Sequence, residues 1–273
     1  MPVPSVALND GQSIPQIALG LWKVTDQAEF DTMFDAAIEA GYRHFDTAQA
    51  YNNEQYLGTA IRRHPTITRK DLFITTKIDV RNFGYKHAKA SFAESLQKLQ
   101  LDYVDLLLLH FPVTLLRKKS WKALEEIQEA GQAMSIGVSN YTVRHLEEMA
   151  DYAKVTPAVN QVELHVFLQQ PELLEYCRSN TIVVEAYSPL AHAQANDSAV
   201  IQKIADKHGK SYAQIMLRWC LQQDLVILPK SKTPSRIAEN IAVFDFTLDD
   251  DDMAQLREQN QDLRTCWSPV HVP

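Results

Sequence analysis

An acid, a phenol, an amine and an imidazole stand at related places in this chain: Asp46, Tyr51, Lys77 and His110. Asp46, Lys77 and His110 fall near the ends of the apolar, β-rich runs RHFDTA, LFITTKI and VDLLLLH, and Tyr51 follows the first run closely. Brought together, the four make a proton-transfer set. Lys77 ends an apolar run, where an unpaired ammonium is costly. Asp46 ends another and can supply the pairing charge. An ammonium beside a phenol stabilises the phenolate and lowers a pKa that is ordinarily about 10. Tyr51 then becomes a usable general acid near neutral pH. His110 can donate a hydrogen bond to the same substrate oxygen. The set suits protonation of a carbonyl oxygen as it becomes an alkoxide. It contains no nucleophile, so the reducing equivalent must come from a cofactor.

A second cluster lies in LPKSKTPSRIAEN, residues 228–240. An apolar run ends at Lys230-Ser231, and a helix is expected from about Pro234, a residue suited to a first helical turn. Lys230, Lys232 and Arg236 gather three cations there. Helix N-termini favour phosphate, and barrels commonly bind it after strands seven and eight. A guanidinium and an ammonium at such a place match a 2′-phosphate. A solvated basic turn would account for the same residues without a ligand.

Residues so far apart meet only if the strands end on one face. Eight apolar runs fit: IALGLW, RHFDTA, LFITTKI, VDLLLLH, MSIGVSN, AVNQVEL, TIVVEAYS and LVILPKS. Helical stripes lie between them. Phe30, Met33, Phe34, Ala37 and Ile38 form one, Ala88, Phe92, Leu96 and Leu99 another, and Val143, Leu146 and Met149 a third. The strand-to-strand spacing suits βα units with parallel crossovers, with a longer stretch before the last run. Eight such units predict an α/β fold of the (β/α)8 barrel type in one domain over residues 1–273. VALNDGQSIPQIALG, with its Asn9-Asp10-Gly11 turn, predicts an N-terminal β-hairpin over about residues 5–18. No GxGxxG follows a strand, so a Rossmann site is unsupported. The acidic LDDDDMAQL reads as a helix start with no catalytic role.

The chain has 273 residues, enough for one barrel of this type, which typically needs about 250. A net charge of −7 without a basic block argues against nucleic acid or anionic membranes as partners. Cys177, Cys220 and Cys266 show no CxxC or zinc pattern, so reduced thiols, no metal and a cytoplasmic location are expected. The N-terminus lacks the basic start and apolar core of a signal peptide. The longest apolar run, Leu106 to Leu109, is too short to span a membrane.

Over nearly its whole length the chain resembles the aldo-keto reductase family. The segments that carry this are GYRHFDTAQAYNNEQYLGTAI, ITTKI, LLLLHFP, IGVSN, NQVELH, AYSPL and LPKSKTPSRIAEN. The resemblance implies NADPH-dependent reduction of aldehydes and activated ketones by a monomer. It implies Tyr51 as general acid, Lys77 paired with Asp46 as its tuner, and His110 as the group that orients the carbonyl. Ser139, Asn140 and Gln161 would hold the nicotinamide carboxamide, and the Tyr187 ring would stack on the nicotinamide. Ser188 and Leu190 would line the pyrophosphate path. Lys230, Ser231, Thr233 and Arg236 would grip the 2′-phosphate, with Glu239 and Asn240 on the adenine. Lys232 stands where the family often has an apolar residue, and a third cation there argues for NADP(H) over NAD(H).

The substrate side departs from the family. Trp22 is retained, but Leu21 precedes it where Thr is usual. Phe111 replaces a usual Trp. Asp79 stands where many relatives carry Trp; either it faces the pocket and disfavours anionic substrates, or it pairs with Arg81 at the rim. The connections FPVTLLRKKSW and PLAHAQANDSAV are short, as in the compact bacterial members of the 2,5-diketo-gluconate reductase type. An open pocket with broad carbonyl use is expected. Trp267 is either an aromatic lid or an anchor for the tail. Two other functions fit parts of the pattern. A cofactor-binding regulatory or sensor barrel would need the cofactor residues but not all four proton-transfer groups. A phosphate-binding isomerase barrel would explain the basic loop but not Tyr187 with Ser139 and Asn140.

Overall fold

The computed structural model describes residues 3–193 and 197–273. Residues 194–196, in the short connection expected after the seventh strand, lie outside the described residues. Strands β1 (Ser5–Ala7) and β2 (Ser13–Pro15) form an antiparallel hairpin, and Gly11 takes a positive φ of 86° in the turn between them. Eight parallel strands follow in chain order: β3 (Ala18–Gly20), β4 (His44–Asp46), β5 (Phe73–Ile78), β6 (Val104–Leu109), β7 (Ala133–Ser139), β8 (Val159–Glu163), β9 (Val183–Tyr187) and β10 (Val226–Leu228). Ile17 bridges Ile227, Ile227 N donates to Gln16 O at 3.0 Å, and Gly20 N donates to Pro229 O at 3.0 Å. Those bonds join the last strand to the first. The sheet is thus a (β/α)8 barrel with an N-terminal hairpin, as the eight runs predict.

The last strand stops at Leu228, short of the expected Lys230-Ser231. Pro229 has no N–H to continue the ladder. The helices between the strands are α1 (Gln27–Ala40), α2 (Glu54–Arg63), α3 (Tyr85–Leu99), α4 (Arg117–Glu129), α5 (Val143–Ala150) and α6 (Pro171–Ser179). The long interval before β10 holds two, α7 (Ala199–His208) and α8 (Tyr212–Leu221). Helices α9 (Pro234–Ile241) and α10 (Asp250–Arg257) complete the ring. The apolar stripe foreseen on α1 is the one it buries. Asp249 caps α10, so the acidic run is a helix start.

The hairpin closes one end of the barrel. Leu8 and Ile14 pack with Phe73, Leu106, Val159 and Val226, which lie at or near the N-terminal ends of their strands. Polar side chains collect toward the other end. In parallel strands alternate residues face one side, so β5 offers the interior Phe73, then Thr75, then Lys77, and β4 offers His44, then Asp46. Gly137 lets β7 and β8 approach, because a Cβ there would stand 2.5 Å from Val159 O.

The C-terminal tail returns across the open end. Gln261 N and Leu263 N both donate to Phe167 O at 3.0 Å. Glu163, at the end of β8, then holds the chain. Its Oε1 accepts from Thr265 N and Thr265 Oγ1, each at 2.6 Å, and its Oε2 accepts from Cys266 N at 3.1 Å. Burial pushes the Glu163 carboxyl up, but the donors from His165, Thr265 and Cys266 outweigh it and hold the pKa below its ordinary value. A carboxyl depressed in the fold contributes stability above its unfolded pKa and loses it as pH falls through the folded value. Glu163→Ala should therefore speed hydrogen exchange of the Thr265 and Cys266 amides by about ten- to hundredfold. The same amides should lose protection in the unsubstituted protein as pH falls through the carboxyl range, after correction for intrinsic exchange. Unchanged exchange in the variant would mean that other contacts hold the tail.

Candidate functional site

The turn after β4 carries Tyr51. Residues Gln49–Tyr51 make a single 3-10 turn, closed by Asn52 at a left-handed φ of 54°. Neighbouring connections hold it in place. Thr47 Oγ1 donates to Asn53 Oδ1 at 2.6 Å, and Asn53 Nδ2 donates to Leu21 O at 2.8 Å and Val24 O at 3.1 Å. Gln49 Oε1 accepts from Asp79 N and from Asn82 Nδ2, each at 2.9 Å. Buried polar groups must find such partners, so the turn has one well-determined place.

Lys77 projects into this end of the barrel and is wholly buried. Its Nζ donates to Asp46 Oδ1 at 2.5 Å, to Thr47 O at 2.9 Å and to Tyr51 Oη at 3.4 Å. His110 follows β6 directly, and its ring meets that of Tyr51 edge-on at 5.7 Å between centroids. The structure therefore brings the four expected groups together.

Their ionisation is not quite as expected. Burial raises the Tyr51 pKa above its ordinary value, and the pull of Lys77 offsets this only in part; Asp46 adds to the rise. The ammonium alone would lower the phenol's pKa; the loss of water around Tyr51 outweighs it. Burial also works against the Lys77 ammonium, but Asp46 and Tyr51 outweigh it and keep the amine above its ordinary pKa. Burial, aided by Lys77, pushes His110 down to about 3, with Asp79 opposing. At neutral pH the site thus holds a protonated phenol, a charged amine and a neutral imidazole. Such a set gives up the phenolic proton only to a strongly basic oxygen, and the ammonium stabilises the phenolate left behind.

The polar residues of β7, β8 and β9 meet the same place from across the barrel. Gln161 Nε2 donates to Asp46 Oδ2 at 2.8 Å and to Glu185 Oε2 at 2.9 Å. Ser139 Oγ donates to Gln161 O at 2.9 Å. Asn140, at a left-handed φ of 66°, donates from Nδ2 to His110 O at 3.1 Å and accepts from Tyr187 Oη at 2.7 Å. Ser188 follows at a left-handed φ of 49°, with Oγ 2.9 Å from His192 Nε2. All of these except Glu185, with Leu190 and Lys230, line one cavity of about 860 Å³ together with Asp46, Tyr51 and His110.

The basic segment is more varied than expected. Thr233 stands at the N-cap position of α9, without a side-chain bond to the helix, and Pro234 opens the helix. Ser231 is buried and its Oγ accepts from Thr233 N at 3.1 Å. Arg236 is exposed beside that helix start. Lys232 differs: its Nζ lies 2.6 Å from Glu29 Oε2 on α1, so this third cation is already paired. Glu239 accepts a hydrogen bond from Ser211 Oγ, and Asn240 is buried. The sequence spacing shows none of these cross-helix partners.

At the rim, Trp22, Asp79, Phe111 and Trp267 all line the cavity. Trp22 is 43% exposed, and its ring meets His192 edge-on at 5.8 Å. Trp267 is 83% exposed, which rules out a tail anchor packed on the barrel. Asp79 takes the pairing reading. Arg81 donates to it from Nη2 at 2.6 Å, from Nε at 3.1 Å to each oxygen, and from its backbone N at 2.9 Å. Burial pushes Asp79 up, but Arg81 outweighs this and holds it below the usual carboxylate range. The pair is close to neutral, which weakens the alternative in which Asp79 repels anions. Gln49, Asn53, His192 and Glu185 were not foreseen. Only Glu185 left a signal, as an acid inside the apolar run VVEAY.

Comparison with known proteins agrees with this geometry. The model of the aldo/keto reductase family matches residues 16–261. Glyoxal reductase of Bacillus subtilis (strain 168) is 43% identical over 265 residues, covering 97% of this chain and 96% of its own. Methylglyoxal reductase DkgA of Escherichia coli (strain K12) is 43% identical over 263 residues, covering 95% and 94%. The crystal structure of Bombyx mori aldo-keto reductase (AKR2E4) in complex with NADP superposes with a TM-score of 0.91 at 33% identity, covering 97% of this chain and 95% of that one. With the family matched over most of its length, the chain belongs to the aldo/keto reductases.

Proposed function

We propose that the chain uses NADPH to reduce small aldehydes and activated ketones to alcohols, with 2-oxoaldehydes such as glyoxal and methylglyoxal among its substrates. It is an NADP-dependent oxidoreductase of its family, and its relatives named for glyoxal and methylglyoxal point to the substrate class. One observation carries the reading: a fully buried ammonium within 2.5 Å of an acid and 3.4 Å of a phenol, both of which line a cavity. A regulatory barrel that only binds cofactor is not favoured, because binding alone does not call for that arrangement.

The residues present fit the cofactor. Both N–H groups of the Gln161 amide are engaged, so its carbonyl oxygen is the atom left for a carboxamide. Ser139 and Asn140 flank it, and Tyr187 is held by its hydroxyl with its ring in the cavity wall. Ser188 and Leu190 continue the wall toward Lys230. Ser231, Thr233 and Arg236 gather at the start of α9, where a 2′-phosphate is favoured. Glu239 and Asn240 on α9 complete the adenine end. NADPH, when bound, supplies the hydride. The chain does the rest. Tyr51 donates its proton to the carbonyl oxygen, and neutral His110 donates a hydrogen bond to the same oxygen. Lys77 stabilises the phenolate, and Asp46 keeps Lys77 charged. Trp22, Phe111 and Trp267 offer apolar surface to the substrate around the mouth, with the Asp79–Arg81 pair at the rim.

Residues 1–273 are read as one domain acting as a cytoplasmic monomer. No helix among the described residues is long and apolar enough to cross a membrane. The acidic net charge supports a small molecule, and not nucleic acid, as partner.

The primary test is oxidation of NADPH with a panel of aldehydes, neutral keto esters and keto acids. Tyr51→Phe should lower turnover by about 10²- to 10⁴-fold while NADPH binding changes little. Equal collapse of NADPH affinity would remove Tyr51 from the proton-donor role. Arg236→Ala should weaken NADPH by about ten- to hundredfold and NADH hardly at all. Similar losses for both would mean that Arg236 does not meet the 2′-phosphate. Arg81→Ala leaves Asp79 unpaired at the rim. It should shift preference from keto acids toward their esters by about two- to fivefold, and an unchanged ratio would show that Asp79 does not act on the substrate.

A further inference from the structure

We propose that Glu185 is a positioning residue for this reaction: it fixes the Gln161 amide, so that only a carbonyl oxygen faces the nicotinamide carboxamide, and it steadies the Asp46–Lys77 pair. The inference rests on the NADPH-dependent reading above and adds a residue that touches neither cofactor nor substrate.

Glu185 sits in the middle of β9 between Val184 and Ala186 and is completely buried. It pairs in register with Gln161 of β8, so both side chains face the barrel interior. A primary amide has two N–H hydrogens on one nitrogen. In Gln161 both are taken, one by Asp46 Oδ2 at 2.8 Å and one by Glu185 Oε2 at 2.9 Å. The two acceptors come from β4 and β9, on strands that do not neighbour each other. If the amide flipped, its carbonyl oxygen would face the Asp46 carboxylate and the buried hydrogen bond to Asp46 would be lost. Asp46 alone would anchor one hydrogen and leave the amide free to turn. Asp46 sets which atom is turned away from the acids, and Glu185 supplies the second anchor that holds the amide in that plane.

Its charge state matters as well. The titratable groups facing it are His44 and Asp46 from β4 and Lys77 from β5; β10 offers Val226 in register and β8 offers Gln161. Burial, with Asp46 adding, pushes the Glu185 carboxyl up to about 8. Burial pushes His44 down to about 3, so it is no counter-cation. Glu185 Oε1 has no hydrogen-bond partner and lies 3.8 Å from His44 Nε2. A protonated Glu185 leaves Asp46 as the one carboxylate beside Lys77. When Glu185 ionises, a second negative charge shares that ammonium, the Tyr51 phenolate is less stabilised, and proton donation slows.

The test compares the unsubstituted protein with Glu185→Gln and Glu185→Leu, using NADPH and its reduced 3-acetylpyridine analogue, whose acetyl group has no N–H. The unsubstituted protein should bind NADPH about tenfold more tightly than the analogue, the worth of one hydrogen bond. Glu185→Gln keeps an acceptor for Gln161, so it should keep that preference and lose the fall in turnover near pH 8. Glu185→Leu, folded by circular dichroism, should cut the preference to about twofold or less, with the KM for NADPH rising more than kcat falls. A folded Leu variant with the full preference overturns the proposal. So does a Gln variant whose pH profile is unchanged, and this arm decides the matter if the Leu variant does not fold. If the unsubstituted protein binds no NADPH, the functional reading itself fails and this inference falls with it.

Discussion

The ammonium of Lys77 has no contact with water, and much of the barrel answers to that fact. Removing an ion of this size from water costs several kcal/mol even after relaxation. Asp46 at 2.5 Å and the Thr47 carbonyl at 2.9 Å offset the cost. They can do so only if β4 and β5 are adjacent and in register, with Asp46 level with Thr75. Breaking such a pair on one side typically costs about 3–5 kcal/mol. The hairpin serves the same end from below: by packing Leu8 and Ile14 against the strand starts, it closes the floor to water. A leak there would screen the one charge on which the site is built.

Once Lys77 is fixed as a cation, the other groups divide into charged and neutral. Asp46 and Lys77 cancel. Tyr51 and His110 are both driven toward their neutral forms by burial. This differs from the simple picture in which the ammonium makes the phenol acidic at rest. Burial wins in the resting site, and the ammonium matters most when negative charge appears on Tyr51 during proton transfer. Stabilisation that appears with the charge is the kind that speeds a reaction. A neutral His110 is consistent with this. A charged imidazole would compete with Lys77 and would be a second acid in a place built for one.

Much of this was legible in the sequence. The eight runs, the stripes on α1 and α3, the hairpin turn and the start of α9 follow from periodicity and from Gly and Pro chemistry. Strand ends on one face of a barrel then put Asp46, Lys77 and His110 together. What was not legible depends on distance across the barrel or between helices. Spacing does not show that Glu29 of α1 reaches Lys232, that Ser211 reaches Glu239, or that Gln161 of β8 reaches Asp46 of β4. The direction of the Tyr51 shift was missed for a related reason, because the degree of burial belongs to the assembled barrel. Asp79 and Arg81 stand only two residues apart, and both readings of that pair were open until the geometry chose one.

The site is built in two materials. The proton-transfer groups and Gln161 are placed by strands and by the first residues beyond them, where the parallel ladder fixes position. The rim is placed by connections and by the tail, through side-chain and loop contacts such as the Glu163 carboxylate on Thr265 and Cys266, Phe167 O on the tail amides, and the Arg81 and Gln49 contacts of Asp79. Trp267 projects from the tail with most of its surface in water. Changes at the rim therefore need not disturb Lys77, because no rim residue is among its hydrogen-bond partners. A barrel of this form can alter which carbonyl it admits while keeping the means of protonating it. In this chain the rim carries an exposed Trp267 and an acid neutralised by Arg81, while the groups beneath it are held by the strands.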